Sequence, residues 1–213
     1  MALKEFLGEY GTSARFPEIS DRYKGKKLVV VGDATCVWID LELFGCRNDS
    51  GRGSVSKEGW DFLTVNKAVE TFPGKIEHAY SNEPSFLRKC IAARRQEYTK
   101  EFGGPAHVHS LSAGADHIWP FGGHGSSGLG AVLTGIGLGY DAIMICGIPL
   151  DDGPHNGEPH WRKTAFATSE VAGGQRTDRN PHWQKAIDFA FDGKVKSMSG
   201  RTKTWLEAST SRR

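Results

Sequence analysis

Nowhere in this 213-residue chain do apolar residues run on for the about 18 positions that a membrane-spanning helix needs, so no membrane partner is expected. The first residues, MALKEFLGEYGTSARF, carry acids and no apolar centre, which argues against a secretory leader and for a cytoplasmic protein. Only four cysteines occur (Cys36, Cys46, Cys90, Cys146), and none has CxxC or other metal spacing. They read as reduced thiols rather than as a disulfide framework or a zinc ribbon. An excess of one charge is missing too: 27 Lys and Arg stand against 25 Asp and Glu, a formal +2. That excludes nucleic-acid or membrane binding driven by net charge alone. Internal repeats and low-complexity tracts are absent. With 38% hydrophobic and 24% charged residues, the chain suits one globular domain with a sizeable core.

Glycine is what the sequence has in excess, 27 residues or roughly twice the usual share. Gly25-Lys26-Lys27 opens the run Leu28-Val29-Val30-Val31, which ends at Gly32. Four apolar residues, three of them β-branched, predict a strand buried on both faces. Trp38–Phe44 reads as a short helix, with further strands at Phe62–Asn66, Lys75–Ser81 and His107–Ser110. Pro84 to Glu101 predicts a helix with Phe86, Leu87, Cys90 and Ile91 on one side and Arg88, Lys89, Arg94 and Arg95 on the other. Leu129–Leu138 predicts a helix stopped by Gly139, followed by a buried strand over Ala142–Pro149. Beyond a polar loop (151–181), helices are expected near Trp183–Phe191 and Thr202–Glu207. Alternating strands and helices predict an α/β fold: a Rossmann-like, mostly parallel sheet with helices on both faces, spanning 25–213 after an arm or helix over 1–24.

Ligands of open parallel sheets sit beyond the carboxyl ends of the strands. Two glycine-rich turns fall there. Gly32-Asp33-Ala34-Thr35 is not G-x-G-x-x-G, which argues against a standard NAD fingerprint at that turn. Gly122-Gly123-His124-Gly125-Ser126-Ser127-Gly128 precedes a helix, where free N–H groups and the helix dipole favour phosphate. It lacks the Lys of a Walker A loop. A plain capping role for the serines is the competing reading. Further along, GIPLDDGPHNGEPHW places Asp151-Asp152 at a strand end, with His155, Glu158, His160 and Trp161 in the loop after it. Such carboxylates can hold Mg²⁺ between phosphates, and a histidine can take a proton from an acceptor hydroxyl. His182 and His124 are further candidates for that base, while a zinc site at His155 and His160 lacks the HExxH pattern. Trp119, Trp161 and Trp183 could line an acceptor site or an interface, although tryptophan usually belongs to the core. The basic face of the 84–101 helix reads as solvated.

Three segments together carry a family resemblance: Lys24–Gly32, Thr64-Val65-Asn66-Lys67-Ala68, and Gly125-Ser126-Ser127-Gly128-Leu129 running on to Leu150. Their order resembles the Rossmann-like superfamily that joins bacterial lipooligosaccharide sialyltransferases with 6-hydroxymethylpterin diphosphokinase-like proteins, uncharacterised phage proteins among them. The resemblance implies that Gly32 and Asp33, Asn66, and Gly125, Ser126, Ser127 and Gly128 line a nucleotide pocket. It also implies a catalytic base in the C-terminal part, for which His182 and His155 are the nearest candidates. The family's first turn has Asn where this chain has Asp33. An acid beside a diphosphate repels it unless a metal held by Asp151 or Asp152 intervenes, or it accepts from ribose hydroxyls.

The expected function is a nucleotide-dependent transferase, a glycosyltransferase moving a sugar from a nucleotide-sugar donor to a hydroxyl acceptor such as a glycan, a modified nucleobase or a small molecule. Diphosphate transfer from ATP and non-catalytic binding of a nucleotide or protein partner are the alternatives. A homo-oligomer is left open.

Overall fold

Leu28 to Val31 are at most 1% exposed and form the middle of the sheet as β1 (Lys27–Val31), apolar on both faces as their composition requires. The computed structural model describes residues 21–49, 54–98, 102–119, 126–150 and 180–211. Along them run a 3₁₀ turn (Asp21–Tyr23), β1, α1 (Val37–Leu43), β2 (Arg47–Asp49), β3 (Ser54–Ser56), β4 (Trp60–Val65), α2 (Ala68–Thr71) and β5 (His78–Tyr80). Then come α3 (Pro84–Glu97), β6 (His107–Ser110), β7 (His117–Ile118), α4 (Ser127–Gly137), β8 (Ala142–Cys146), α5 (Asn180–Phe189), β9 (Val195–Ser197) and α6 (Gly200–Thr210). The main sheet has seven strands in the order β7-β6-β5-β4-β1-β8-β9, every neighbour pair parallel. β2 and β3 form a separate antiparallel pair.

Strand alternation sorts the core into two layers. Leu28, Val30, Leu63, Val65, Ile143 and Ile145 face one side with Leu129, Val132 and Leu133 of α4, Trp183 and Ile187 of α5 and Leu206 of α6. Val29, Val31, Phe62 and Cys146 face the other with Val37 and Leu41 of α1, Val69 of α2, and Leu87 and Ile91 of α3. Burying each Leu, Ile or Val contributes about 1.5–3 kcal/mol, so these two layers carry most of the stability. The fold is α/β and Rossmann-like, with helices on both faces of the sheet.

Connectivity matters more for the site than the strand count does. The chain begins at the centre with β1, steps outward through β4, β5 and β6 to β7, and returns along α4 to lay β8 on the opposite side of β1. The strand order therefore reverses between β1 and β8, and loops diverge there to leave a crevice.

Several short pieces lie outside what the sequence pattern announced: the β2–β3 hairpin, α2, β7 and β9. Each is four residues or shorter, too short for a period of 2 or 3.6 to show, and is held by its neighbours. The Leu129–Leu138 helix begins two residues earlier than expected, at Ser127, and the segment after Cys146 leaves the sheet at Gly147. Trp119 and Trp183 are core residues, 2% and 0% exposed, rather than surface aromatics. Residues 1–20, most of the expected arm, lie outside the described residues. Tyr23, just after them, packs into the core at 3% exposure. Among the described residues no helix is long and apolar enough to cross a membrane.

The expected basic face of the 84–97 helix is corrected at one residue. Arg94 is fully buried and Phe86, expected on the apolar side, is 39% exposed. The Arg94 guanidinium donates to Phe102 O (2.7 Å), Val69 O (3.0 Å), Gly74 O (2.7 Å) and Phe72 O. Two of these carbonyls end α2, where a cation meets the negative end of the helix dipole. Burial pulls the guanidinium down to about 10, still charged at neutral pH. Arg94→Leu should therefore strand several buried carbonyls and cost about 3 kcal/mol or more in urea unfolding. A loss under about 1 kcal/mol would show that water replaces the guanidinium at little cost.

Candidate functional site

The β1 and β8 ends approach so closely that only glycine fits. Gly32 N–H donates to Cys146 O (2.8 Å) and Ala34 N–H to Gly147 O (3.2 Å). A Cβ at Gly32 would overlap the Gly147 carbonyl oxygen, and Gly147 holds φ +71° with Val37 against it. The seam is fastened from α1 by Asp40, a carboxylate only 2% exposed. Its Oδ2 accepts from Gly147 N–H (2.8 Å) and from the Ser199 hydroxyl (2.7 Å), just ahead of α6. Charge-assisted bonds of this kind are stronger than neutral ones. Beside them, burial and then the Asp40 charge push the Cys146 thiol well above its ordinary range. Cys146 is thus a core thiol and not a nucleophile.

The next turn along the edge is Asn66, immediately after β4. It adopts φ +52°, a conformation that Asn tolerates better than most residues. Its N–H donates to Tyr80 O (3.0 Å) and its carbonyl accepts from Val69 N–H (3.3 Å). Two residues beyond Tyr80, Asn82 N–H donates to Ser127 Oγ (3.2 Å) at the start of α4. The Asn82 side-chain oxygen is buried and finds no partner among the described residues, and the same holds for the Tyr80 hydroxyl.

Ser126 is the N-cap of α4. Its hydroxyl oxygen accepts from Leu129 N–H (3.3 Å) and from the Trp183 indole (3.1 Å). Gly128 packs where a side chain would press on Ile148 and Trp183. The N–H groups of Ser127 and Gly128 belong to the first turn, which a helix leaves without intrahelical acceptors. Because Ser126 Oγ and Ser127 Oγ already accept from the protein, the hydrogen of each hydroxyl remains as a donor. A helix start offering N–H and O–H donors suits an anionic oxygen.

Contacts therefore link the predicted residues into an arc along the carboxyl edge: Asn66 to Tyr80, Asn82 to Ser127, Gly128 to Ile148, and Gly147 to Gly32. Asp33 follows Gly32 and is half-buried. His182 is half-buried in the first turn of α5, one residue before the Trp183 that holds the α4 cap. Gly125, Asp151, Asp152 and His155 lie outside the described residues, as do His124, Glu158, His160 and Trp161. Among the described residues no group of three or more His, Cys, Asp or Glu side chains is arranged to hold a metal ion.

Asp40 and Asn82 carry the geometry but have no sequence signal of their own. Asp40 reads as one acid on a short amphipathic helix, and Asn82 as a turn residue before Pro84. By sequence, Gly123-His124-Gly125-Ser126-Ser127-Gly128 also fits G-x-G-x-x-G. The strand before it is the two-residue edge strand β7, not the buried first strand of a βαβ unit, so that spacing carries little weight here.

No family model matches the chain, and no curated protein matches it. Among solved structures, it is similar to a sialyltransferase, CstII from Campylobacter jejuni, determined in complex with a substrate analogue, CMP-3FNeuAc. Identity is 15%, the TM-score is 0.46, and the match covers 83% of this chain and 82% of that one. A likeness that loose transfers no residue role.

Replacing Asp40 tests the seam. Asp40→Ala should unpair the Gly147 N–H and the Ser199 hydroxyl and lower stability by about 2–4 kcal/mol, with Asp40→Asn intermediate, as measured by chemical denaturation. Equal stability of all three proteins would remove the carboxylate from its fastening role.

Proposed function

We propose that this protein is a nucleotide-dependent transferase of the glycosyltransferase type, taking a nucleotide-sugar donor at the β1–β8 crevice and passing the sugar to a hydroxyl acceptor. The reading rests chiefly on the arc at the carboxyl edge, where a helix start rich in N–H and O–H donors meets the topological switch point. Parallel sheets bind nucleotides at such points, and the α4 start suits the phosphates. Asn66 and the unpartnered Asn82 oxygen supply amide groups for ribose or base, and Asp33 supplies an acceptor for ribose hydroxyls.

His182 is proposed as the general base. Its imidazole, one residue before the Trp183 that bonds the α4 cap, would remove the acceptor's hydroxyl proton as the acceptor oxygen attacks the anomeric carbon. The bond from that carbon to the donor phosphate breaks, and the nucleotide leaves with the electron pair. Donors at the start of α4 would stabilise the charge that gathers on the departing phosphate.

Calorimetry and thermal shift against a panel of CMP-, UDP- and GDP-sugars, ATP and NAD, with and without Mg²⁺, should single out one nucleotide-sugar. Ser127→Ala and Asn66→Gly should each raise the donor Kd about tenfold, equivalent to about 1.4 kcal/mol. The Gly substitution keeps the backbone of residue 66 unstrained. His182→Ala should lower kcat while leaving donor Kd near wild type. Donor affinity untouched by the first two variants would remove the site assignment, and a response only to ATP with Mg²⁺ would favour diphosphate transfer.

A further inference from the structure

On the α4 face of the sheet, four histidines of β5, β6 and β7 interrupt the apolar layer. His78 pairs in register with His107, and His109 with His117. Their rings lie close: His78–His107 5.4 Å, His78–His109 5.0 Å, His109–His117 4.8 Å between centroids. His78 and His109 are fully buried. A continuous line of hydrogen bonds runs through them. The Trp119 indole donates to His109 Nδ1 (2.9 Å), His109 Nε2 lies 3.0 Å from His78 Nδ1, and His78 Nε2 lies 2.9 Å from the Tyr140 hydroxyl. Tyr140 donates to Asp61 Oδ2 (2.9 Å).

The two ends decide every proton between them. An indole N–H can only donate and a carboxylate can only accept. His109 Nδ1 is therefore bare, so His109 carries its hydrogen on Nε2 and donates it to His78 Nδ1. His78 in turn is protonated on Nε2 and donates to Tyr140. No nitrogen in the line can take another proton without setting two donors face to face. Protonating His109 Nδ1 opposes the indole N–H. Protonating His78 Nδ1 opposes the His109 N–H, and reversing His109 only moves the conflict to Trp119.

The surrounding charges favour the neutral state. Around His78 stand His107 and His109 of β6, His117 of β7, Tyr140, Tyr23 and Arg22 of the 3₁₀ turn, and Lys26. Asp61 and Glu77 are the nearby acids, Asp61 paired with Lys26 (3.5 Å) and Glu77 with Lys75 (3.7 Å). Around His109 stand His78, His107 and His117, with Asp116 bonded to Val108 N–H (2.8 Å). Burial, reinforced by neighbouring imidazoles, holds His78 down to about 3 and His109 to about 2.

What the line holds in place is the edge of the sheet. β7 is two residues long and, among the described residues, pairs with β6 alone. Its exit residue Trp119 donates its N–H to Ser110 O (2.7 Å) and packs its ring on Gly137 at the end of α4. In sequence, α4 begins eight positions after Trp119, at Ser127. We propose that the Trp119–His109–His78–Tyr140–Asp61 line is an acid-released catch: it seats β7 against the sheet at neutral pH and lets that edge open when one of its imidazoles takes a second proton. The catch does not depend on what the α4 start binds.

The sign follows from the protons. The opened edge exposes ordinary imidazoles near 6.5 and binds more protons than the closed one, so opening grows as pH falls below about 6.5. Hydrogen exchange of the wild-type protein, corrected for intrinsic exchange chemistry, should show residues 107–119 losing protection about tenfold per pH unit per histidine between pH 6 and 4. Strands 27–31 and 142–146 should keep theirs. The double variant His78→Gln/His109→Gln accepts and donates like the neutral rings but removes both titrating groups of the line, and its 107–119 protection should fall with pH much less steeply than the wild type's, with the partly buried His117 still titrating. Long-range ¹H–¹⁵N spectra of the wild-type protein give an independent reading that needs no variant: both rings should carry hydrogen on Nε2. An Nδ1–H tautomer in either ring overturns the catch, as does a loss of protection shared by all strands, pH-independent protection of 107–119, or a double variant whose 107–119 segment is as acid-sensitive as the wild type's.

Discussion

The closeness of two strand ends governs much of this molecule. β1 and β8 can hydrogen-bond through to the turns that follow them only because Gly32 presents no Cβ to the Gly147 carbonyl. With that approach, the Gly147 N–H turns toward α1 and is met by Asp40, which also takes the Ser199 hydroxyl. One carboxylate thus ties α1, the end of β8 and the start of α6 to a single point. Ile148, the next residue, then packs beneath Gly128 and fixes where α4 begins relative to the switch point. A side chain at position 32 would force the strand ends apart and loosen all of these contacts at once.

The sheet's two faces are built on different terms. Toward α1, α2 and α3 the packing is aliphatic and aromatic, with Arg94 as a buried cation that donates four hydrogen bonds to carbonyl oxygens. Toward α4, the strands farthest from β1 carry histidines, and the layer there is held by directional bonds as well as by burial. Apolar packing tolerates small shifts, whereas a hydrogen-bond line with fixed donor and acceptor ends has one proton arrangement. The rigid centre therefore carries the proposed nucleotide crevice, and the proton-sensitive part is set at the short edge, where opening disturbs the fewest contacts.

How much of the site the sequence reveals depends on how local each signal is. Ser126 reads as a cap from its place before an apolar helix, and it does cap α4. Nothing local says that its second bond comes from Trp183, 57 positions away. Phe86 and Arg94 exchange their expected environments because a helical wheel sees which residues share a side, but not that the loop at 102–104 and the end of α2 close over that side with their carbonyls. The four histidines pass as ordinary strand residues, since 78, 107, 109 and 117 share a face only once three strands lie side by side.

The sequence by itself determined the longer elements and their kind: runs apolar on both faces became parallel strands, amphipathic runs became covering helices, and glycines marked the turns at strand ends. These outcomes depend on residues within a few positions of one another, where periodicity and turn chemistry act. The tertiary structure alone decided which side of β1 received β8, that Gly32 would meet Gly147 across the seam, that Asp40 would fasten them, and that an indole and a carboxylate would fix the tautomers of two histidines between them. Those outcomes depend on contacts between residues dozens of positions apart, and such contacts exist only once the sheet has set the order of its strands.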